Sequence, residues 1–156
     1  MLTEGTKAPN FSLPESSGGT FSTRAHKGSW LVVYFYPKDN TPGCTREAQD
    51  FNASIATFRK LDATLVGISK DTIKSHCTFR DKFALKFPLA SDTDLSVQKA
   101  FGAYGKKVLY GKEILGTIRC TFIISPKGVI ARVFAKVKVD GHVDEVLSAL
   151  KELQKT

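Results

Sequence analysis

The chain has 156 residues, 42% hydrophobic and 24% charged, figures that suit one globular domain with a full core. No apolar run approaches the ~20 residues that span a bilayer. The opening MLTEGTKAPNF lacks the basic and then apolar pattern of a secretory signal, so the expectation is a single domain over residues 1–156 in the cytoplasm. The formal charge of +8, from 23 Lys+Arg against 15 Asp+Glu, invites a nucleic-acid reading. The basic residues are scattered, however, with short clusters such as Lys106-Lys107, and neither an RNP-like aromatic motif nor zinc-finger spacing occurs. A solvated basic surface is the expectation.

In chain order, ESSGGTFS (15–22) is a Ser/Gly-rich turn between short segments. WLVVYFY (30–36) is an unbroken aromatic and β-branched run ending at Pro37, which suits a strand buried on both faces. After the loop PKDNTPG, the stretch CTREAQDFNASIATFRKL (44–61) places Ala48, Phe51, Ile55 and Phe58 at steps of 3, 4 and 3, an apolar helix stripe. TLVGIS (64–69) reads as a second buried strand. DTIKSHCTFRDKFAL (71–85) reads as a helix capped by Asp71 or Thr72. A shorter helix is expected over 92–104. CTFIIS and VIARVFA flank PKG as a hairpin, and GHVDEVLSALKEL (141–153) closes as an amphipathic helix. A parallel βαβ first half followed by antiparallel strands predicts an α/β three-layer domain with a mixed central sheet, in thioredoxin-like order.

The cysteines are Cys44, Cys77 and Cys120. An odd count at wide spacing does not describe a secreted disulfide framework. With no C-x-x-C, neither a thioredoxin-type dithiol nor a zinc knuckle fits. His26, His76 and His142 show no ligand spacing, and no metal, flavin or haem motif is visible. The site is expected at the carboxyl end of the first buried strand, in PKDNTPGC. There Thr41 stands as N-cap and Pro42 as first helical residue, where a missing N–H is harmless. Cys44 then falls in the first helical turn, beside free backbone N–H groups and the positive end of the dipole. Both favour thiolate over thiol, and Gly43 allows close approach to the backbone. A reactive thiol and a buried structural cysteine both remain open on this evidence.

YPKDNTPGCTREAQDF resembles the active-site segment of peroxiredoxins of the PrxQ/bacterioferritin-comigratory-protein type, with Pro37, Thr41 and Cys44 meeting P-x-x-x-T-x-x-C. GTKAPNFSLP, LVGISKD, FPLASD and RCTFIISPKGVI match in order, so the resemblance covers nearly the whole chain. It implies a thioredoxin-fold, thiol-dependent peroxidase without cofactor. Cys44 would attack the O–O bond of a hydroperoxide and become a sulfenic acid. Thr41 would aim its hydroxyl at the reacting sulfur and oxygen, and Pro37 would shield the thiolate. Arg119, in IRCTF, would supply a permanent charge to the transition state. Glu47 belongs to the subfamily pattern as a supporting residue.

The same resemblance bears on how the thiol is regenerated. Many members carry a resolving cysteine five residues after the first, where Gln49 stands here. Others carry it in the next helix, three residues beyond Cys77, where Arg80 stands. Cys77 and Arg80 share a helix face, which leaves Cys77 as the candidate resolving thiol. A Cys44–Cys77 disulfide needs Cα atoms within ~7 Å and therefore local unwinding. The alternative is a one-cysteine peroxidase reset by an external thiol such as glutathione or glutaredoxin. Cys120 alternates with Arg119 on a strand and is expected to face away from it, into the core. The implied partners are hydroperoxides and thioredoxin or a similar dithiol reductant, with no nucleic acid and no membrane, for a monomer or weak dimer. A disulfide oxidoreductase and a non-enzymatic basic binder are the competing classes, and neither accounts for Thr41, Cys44 and Arg119 together.

Overall fold

The computed structural model of the chain describes residues 1–155. Its centre is a five-stranded mixed sheet. The strands are β3 (Trp30–Phe35), β4 (Ala63–Ser69), β5 (Leu89–Ser91), β8 (Cys120–Ile124) and β9 (Ile130–Phe134). Their order is β5-β4-β3-β8-β9, parallel over the first three and antiparallel at β8 and β9. Before it lie the short ribbon β1 (Ser12–Pro14) with β2 (Thr20–Ser22), and a 3-10 turn at Thr23–His26. The expected mixed sheet with thioredoxin-like order is therefore present, and no helix among the described residues is long and apolar enough to cross a membrane.

β3 is buried on both faces because its side chains alternate between two cores. Val32, Tyr34 and Tyr36 face α1 (Pro42–Ala53), α2 (Ile55–Lys60), α3 (Ile73–Phe83) and α5 (His142–Gln154). Leu31, Val33 and Phe35 face α4 (Ser96–Phe101) and the amino-terminal ribbon, through Phe11, Phe21 and Phe101. An unbroken apolar run is the sequence form of such a strand.

Two expectations are corrected, and one further pair of strands is added. The helix expected over 44–61 is two helices, interrupted at Ser54 (φ −106°, ψ 10°). Asn52 turns its side chain away to the loop after α3, donating to the Ala84 carbonyl at 3.1 Å and accepting from Lys86 N–H at 2.7 Å. Asn and Ser compete with the helical backbone for such bonds, yet the stripe survives the break, since Phe51, Ile55 and Phe58 share one core. The helix expected over 92–104 spans only Ser96–Phe101. Asp92 accepts from the N–H groups of Val97 and Gln98, and Gly102 ends the helix at φ 72°. Residues 104–117, left without strands by the sequence pattern, form a separate hairpin of β6 (Tyr104–Leu109) and β7 (Lys112–Thr117). Its two-residue loop has Tyr110 at φ 52° and Gly111 at φ 76°, the positive pair that a type I′ turn requires. Asn-Gly is the usual signal there; a tyrosine in the left-handed region costs about 1–2 kcal/mol.

Gly67 of β4 is required by packing rather than by its backbone. A Cβ there would lie 2.7 Å from the Tyr34 ring, which is itself stacked on Phe51 at 4.6 Å. Gly67→Ala is expected to lower stability by about 1–3 kcal/mol through overpacking, read as a reduced midpoint in urea unfolding. An unchanged midpoint would show that the buried ring can yield.

Candidate active site

Thr41 occupies the N-cap position of α1 and Pro42 its first turn, as the sequence pattern predicts. The Thr41 hydroxyl does not cap the helix; it donates to the Lys38 carbonyl at 2.8 Å, closing the loop on itself. Pro37 is half-buried at the start of that loop, directly after β3. Cys44 is buried in the first turn of α1, with its thiol free.

The side chain that reaches the sulfur comes from the far end of the sequence. Arg119, just before β8, places Nη2 3.2 Å from Cys44 Sγ and Nη1 2.6 Å from Glu47 Oε1. Antiparallel pairing of β8 with β3 brings it there, with Cys120 opposite Phe35 at the end of β3 from which the loop departs. Gly43 serves this approach: a Cβ on it would stand 3.3 Å from Arg119 Nη2, against the guanidinium. Any side chain at position 43 would press on the arginine before it met a substrate.

The electrostatics of the three groups are unequal. Burial tends to lower the Arg119 guanidinium, but the charges of Glu47 and Cys44 outweigh it and hold Arg119 above its ordinary value. Glu47 is fully buried, and burial raises its carboxyl from 4.5 to about 7 despite the opposing pull of Arg119. Its Oε2 has no hydrogen-bond partner among the described residues. A neutral carboxyl thus becomes accessible near pH 7.

Cys120 and Cys77 occupy different settings. Cys120 packs with Phe35 and Phe122 in the core on the opposite face of the sheet from Cys44. Burial pushes its thiol up to about 12, so it keeps its proton. Cys77 is half-buried on α3 and donates to the Ser16 carbonyl at 3.3 Å, an oxygen that also accepts from Arg80 Nη1. Position 80, one turn further on, is thus taken by a cation anchored to the same carbonyl.

A second group of residues was invisible to sequence reasoning. Asp39, in the loop between β3 and α1, accepts from Tyr36 Oη at 2.5 Å and Ser75 Oγ at 2.8 Å, and its Oδ2 lies 2.7 Å from His76 Nδ1. Its own N–H donates to Asp71 Oδ2 at 2.8 Å, which Ser69 Oγ also reaches at 2.6 Å. Asp39, Asp71 and His76 are the one cluster among the described residues whose ligand atoms lie close enough for a metal ion, within 4.8 Å. Those atoms are already engaged with one another and with Tyr36, Ser69 and Ser75, so the cluster reads as a buried hydrogen-bond network. It ties the loop ahead of Cys44 to the first turn of the helix that carries Cys77. The only sequence signal was an acidic residue in a loop, which is uninformative alone.

The chain is similar to known proteins along nearly its full length. The AhpC/TSA family model matches residues 5–133. The peroxiredoxin Bcp of Xanthomonas campestris pv. campestris is 52% identical over 146 residues, covering 92% of this chain and 91% of the relative. That of Bacillus subtilis is 42% identical, covering 96% and 95%. Among solved structures, the bacterioferritin comigratory protein of Xanthomonas campestris, studied for alkyl peroxide reduction, superposes with a TM-score of 0.86 at 48% identity, covering 91% of this chain and 90% of that one. PrxQ of Xylella fastidiosa superposes at 0.92 with 37% identity, covering 99% and 98%. With a thiol, a guanidinium and a carboxyl gathered at the mouth of α1 and these relatives matching along nearly its full length, the chain belongs to the AhpC/TSA family, as a peroxiredoxin of the Bcp (PrxQ) type.

Proposed function

We propose that this peroxiredoxin, acting as one domain, reduces hydrogen peroxide and organic hydroperoxides through Cys44. The observation that carries the reading is the 3.2 Å contact of Arg119 Nη2 with Cys44 Sγ. The thiolate attacks the distal peroxide oxygen, the O–O bond breaks, and the sulfur is oxidised to sulfenic acid. The leaving alkoxide or hydroxide takes a proton and departs as alcohol or water. Arg119 contributes by electrostatics aimed at the charge that moves from sulfur to the leaving oxygen. The Cys44 N–H and the Thr41 hydroxyl hold the peroxide, the latter fixed by its bond to Lys38. Pro37 keeps bulk water from the thiolate. Gly43 leaves room for the guanidinium, and Glu47 orients it.

In the second half, the Cys77 thiol attacks the Cys44 sulfenic acid, forming a disulfide and releasing water. A dithiol protein such as thioredoxin then reduces the disulfide, its own two thiols becoming oxidised. The network from Asp39 to Ser75 and His76 supports this pairing, since it holds the loop before Cys44 against the turn of α3 that precedes Cys77. Both cysteines lie in helices, so closure of the disulfide unwinds one of them locally.

The catalytic reading is tested by peroxide-dependent oxidation of a thiol donor. Cys44→Ser is expected to abolish turnover, and Arg119→Ala to reduce it about 10²–10³-fold, the range for removal of a key electrostatic donor; full activity in Cys44→Ser would overturn the assignment. After one equivalent of peroxide, disulfide mapping by mass spectrometry is expected to find Cys44 joined to Cys77. Sulfenic or sulfinic Cys44 beside a free Cys77 would instead establish the one-cysteine scheme with an external thiol such as glutathione or glutaredoxin.

Glu47 gives a pH signature of its own. Its folded-state value of about 7 lies above the unfolded 4.5, so the folded chain binds the extra proton. The stability this group contributes is present below 4.5 and is lost as pH rises through 7. Relative to Glu47→Gln, the wild-type chain is expected to lose on the order of 3 kcal/mol across that window, measured by urea unfolding at each pH. A pH-independent difference between the two would show that Glu47 is ionised throughout.

A further inference from the structure

Among the described residues, the large hydrophobic side chains left exposed are Met1 and five in the β6–β7 hairpin: Val108, Leu109, Tyr110, Ile114 and Leu115. Val108 is 74% exposed, Leu115 64% and Tyr110 95%. Isolated exposed apolar residues need no account, but five gathered on one two-stranded ribbon mark an interaction surface. Tyr110 makes the point more sharply. It holds a left-handed backbone at the tip of the turn, where Asn or Gly would be unstrained, and its ring contributes almost nothing to the core. A residue that breaks a local rule with no return inside the fold points to function outside it.

The ribbon is rooted at the reaction centre. β7 ends at Thr117, two residues before Arg119. Lys107 folds back along the ribbon over Gly116 and donates to the Thr117 carbonyl at 2.7 Å. Burial, and then the charge of Arg119, lower the Lys107 ammonium, while the charge of Cys44 raises it, which places it within electrostatic reach of both. The ribbon's charge is positive: Lys106, Lys107 and Lys112 stand against Glu113 alone, and Glu113 is paired with Lys106 at 3.5 Å. The whole chain carries +8.

We propose that the β6–β7 hairpin is the docking surface for the dithiol protein that resets the oxidised cysteine. The partner presents an apolar patch with an acidic rim around its reactive thiol. This rests on the reading of Cys44 as the oxidised centre. An apolar centre with a tyrosine anchor and a charged margin is the anatomy of a protein contact, and opposite charge on the partner speeds encounter. Five apolar side chains spread over both faces of a ribbon are more than a small hydroperoxide would cover. The position beside Arg119 brings a docked thiol to the centre it must reduce.

The test uses the full-length protein with two variants, Tyr110→Asn and Leu109→Ser/Leu115→Ser, in three stopped-flow measurements. These are oxidation by hydrogen peroxide, reduction of the oxidised protein by dithiothreitol, and reduction by thioredoxin. Both variants are expected to keep the first two rates and to lose at least about tenfold in the thioredoxin rate, the scale of one interface anchor. The wild-type thioredoxin rate should fall as salt is raised. Tyr110→Asn should also melt no lower than wild type, because asparagine relieves the turn. Thioredoxin rates equal to wild type in both variants would overturn the proposal. So would an equal loss with dithiothreitol, or a loss confined to oxidation by a long-chain alkyl hydroperoxide. Dissociation of a dimer in the variants with the thioredoxin rate intact would assign the ribbon to a second copy of the chain instead. A wild-type Cys44 that peroxide fails to oxidise would sink the catalytic reading and this proposal together, whereas normal oxidation with hairpin-independent reduction sinks this proposal alone.

Discussion

Arg119 is shared between Cys44 Sγ at 3.2 Å and Glu47 Oε1 at 2.6 Å, in a setting where most of its side chain is removed from water. A largely buried guanidinium is tolerated only with partners that return the lost solvation. Here one partner is a fully buried carboxyl and the other is the buried Cys44 sulfur. The surrounding structure can be understood as what this contact needs. β8 must pair with β3 so that Arg119 arrives at the carboxyl end of the strand from which the Cys44 loop departs. Gly43 must lack a side chain so that the guanidinium can lie against the first turn of α1. α1 must be held by the stripe of Ala48 and Phe51 so that Cys44 and Glu47, one turn apart, meet the two arms of the fork together. Lysine could not replace arginine here, since one ammonium cannot present two fixed donors in one plane.

The loop between β3 and α1 is restrained from the other side by α3. Asp39 gathers Tyr36, Ser75 and His76, and Lys82 Nζ reaches Asn40 Oδ1 at 3.3 Å. Such a network is stiff while every member is satisfied and fails as a unit when one is lost. It therefore couples the approach to Cys44 with the helix that carries Cys77. The loop ahead of Cys44 and the first turn of α3 are thus one mechanical unit. The β6–β7 hairpin forms a sheet of its own that ends two residues before Arg119, with apolar residues exposed to solvent.

Some of the site was readable from residue order alone because it is local. Pro37, Thr41, Gly43, Cys44 and Glu47 lie within eleven consecutive residues, and the position of the cysteine in the first turn follows from cap and proline preferences that act over a few bonds. The buried strands were legible for the same reason, since a strand enclosed on both faces must be apolar throughout. The break at Ser54 was not, because helical periodicity continues through it while Asn52 is drawn off by a loop 32 residues away. The hairpin was missed because paired lysines and paired apolar residues hide the alternation of a strand, and because Tyr-Gly is an uncommon turn.

By itself, then, the sequence determined the layer order, the two-sided strands, the helix that opens at TPGC and the neighbours of Cys44 along the chain. Tertiary structure alone decided the rest. It brought Arg119 across 75 residues to the sulfur and buried Glu47 until its carboxyl rose to about 7. It also joined Asp39 to His76 and left five apolar side chains of the β6–β7 ribbon uncovered by the described residues of the chain. The physical reason is common to all four. Burial and charge pairing depend on which surfaces meet in space, and no preference acting over a few residues records that meeting.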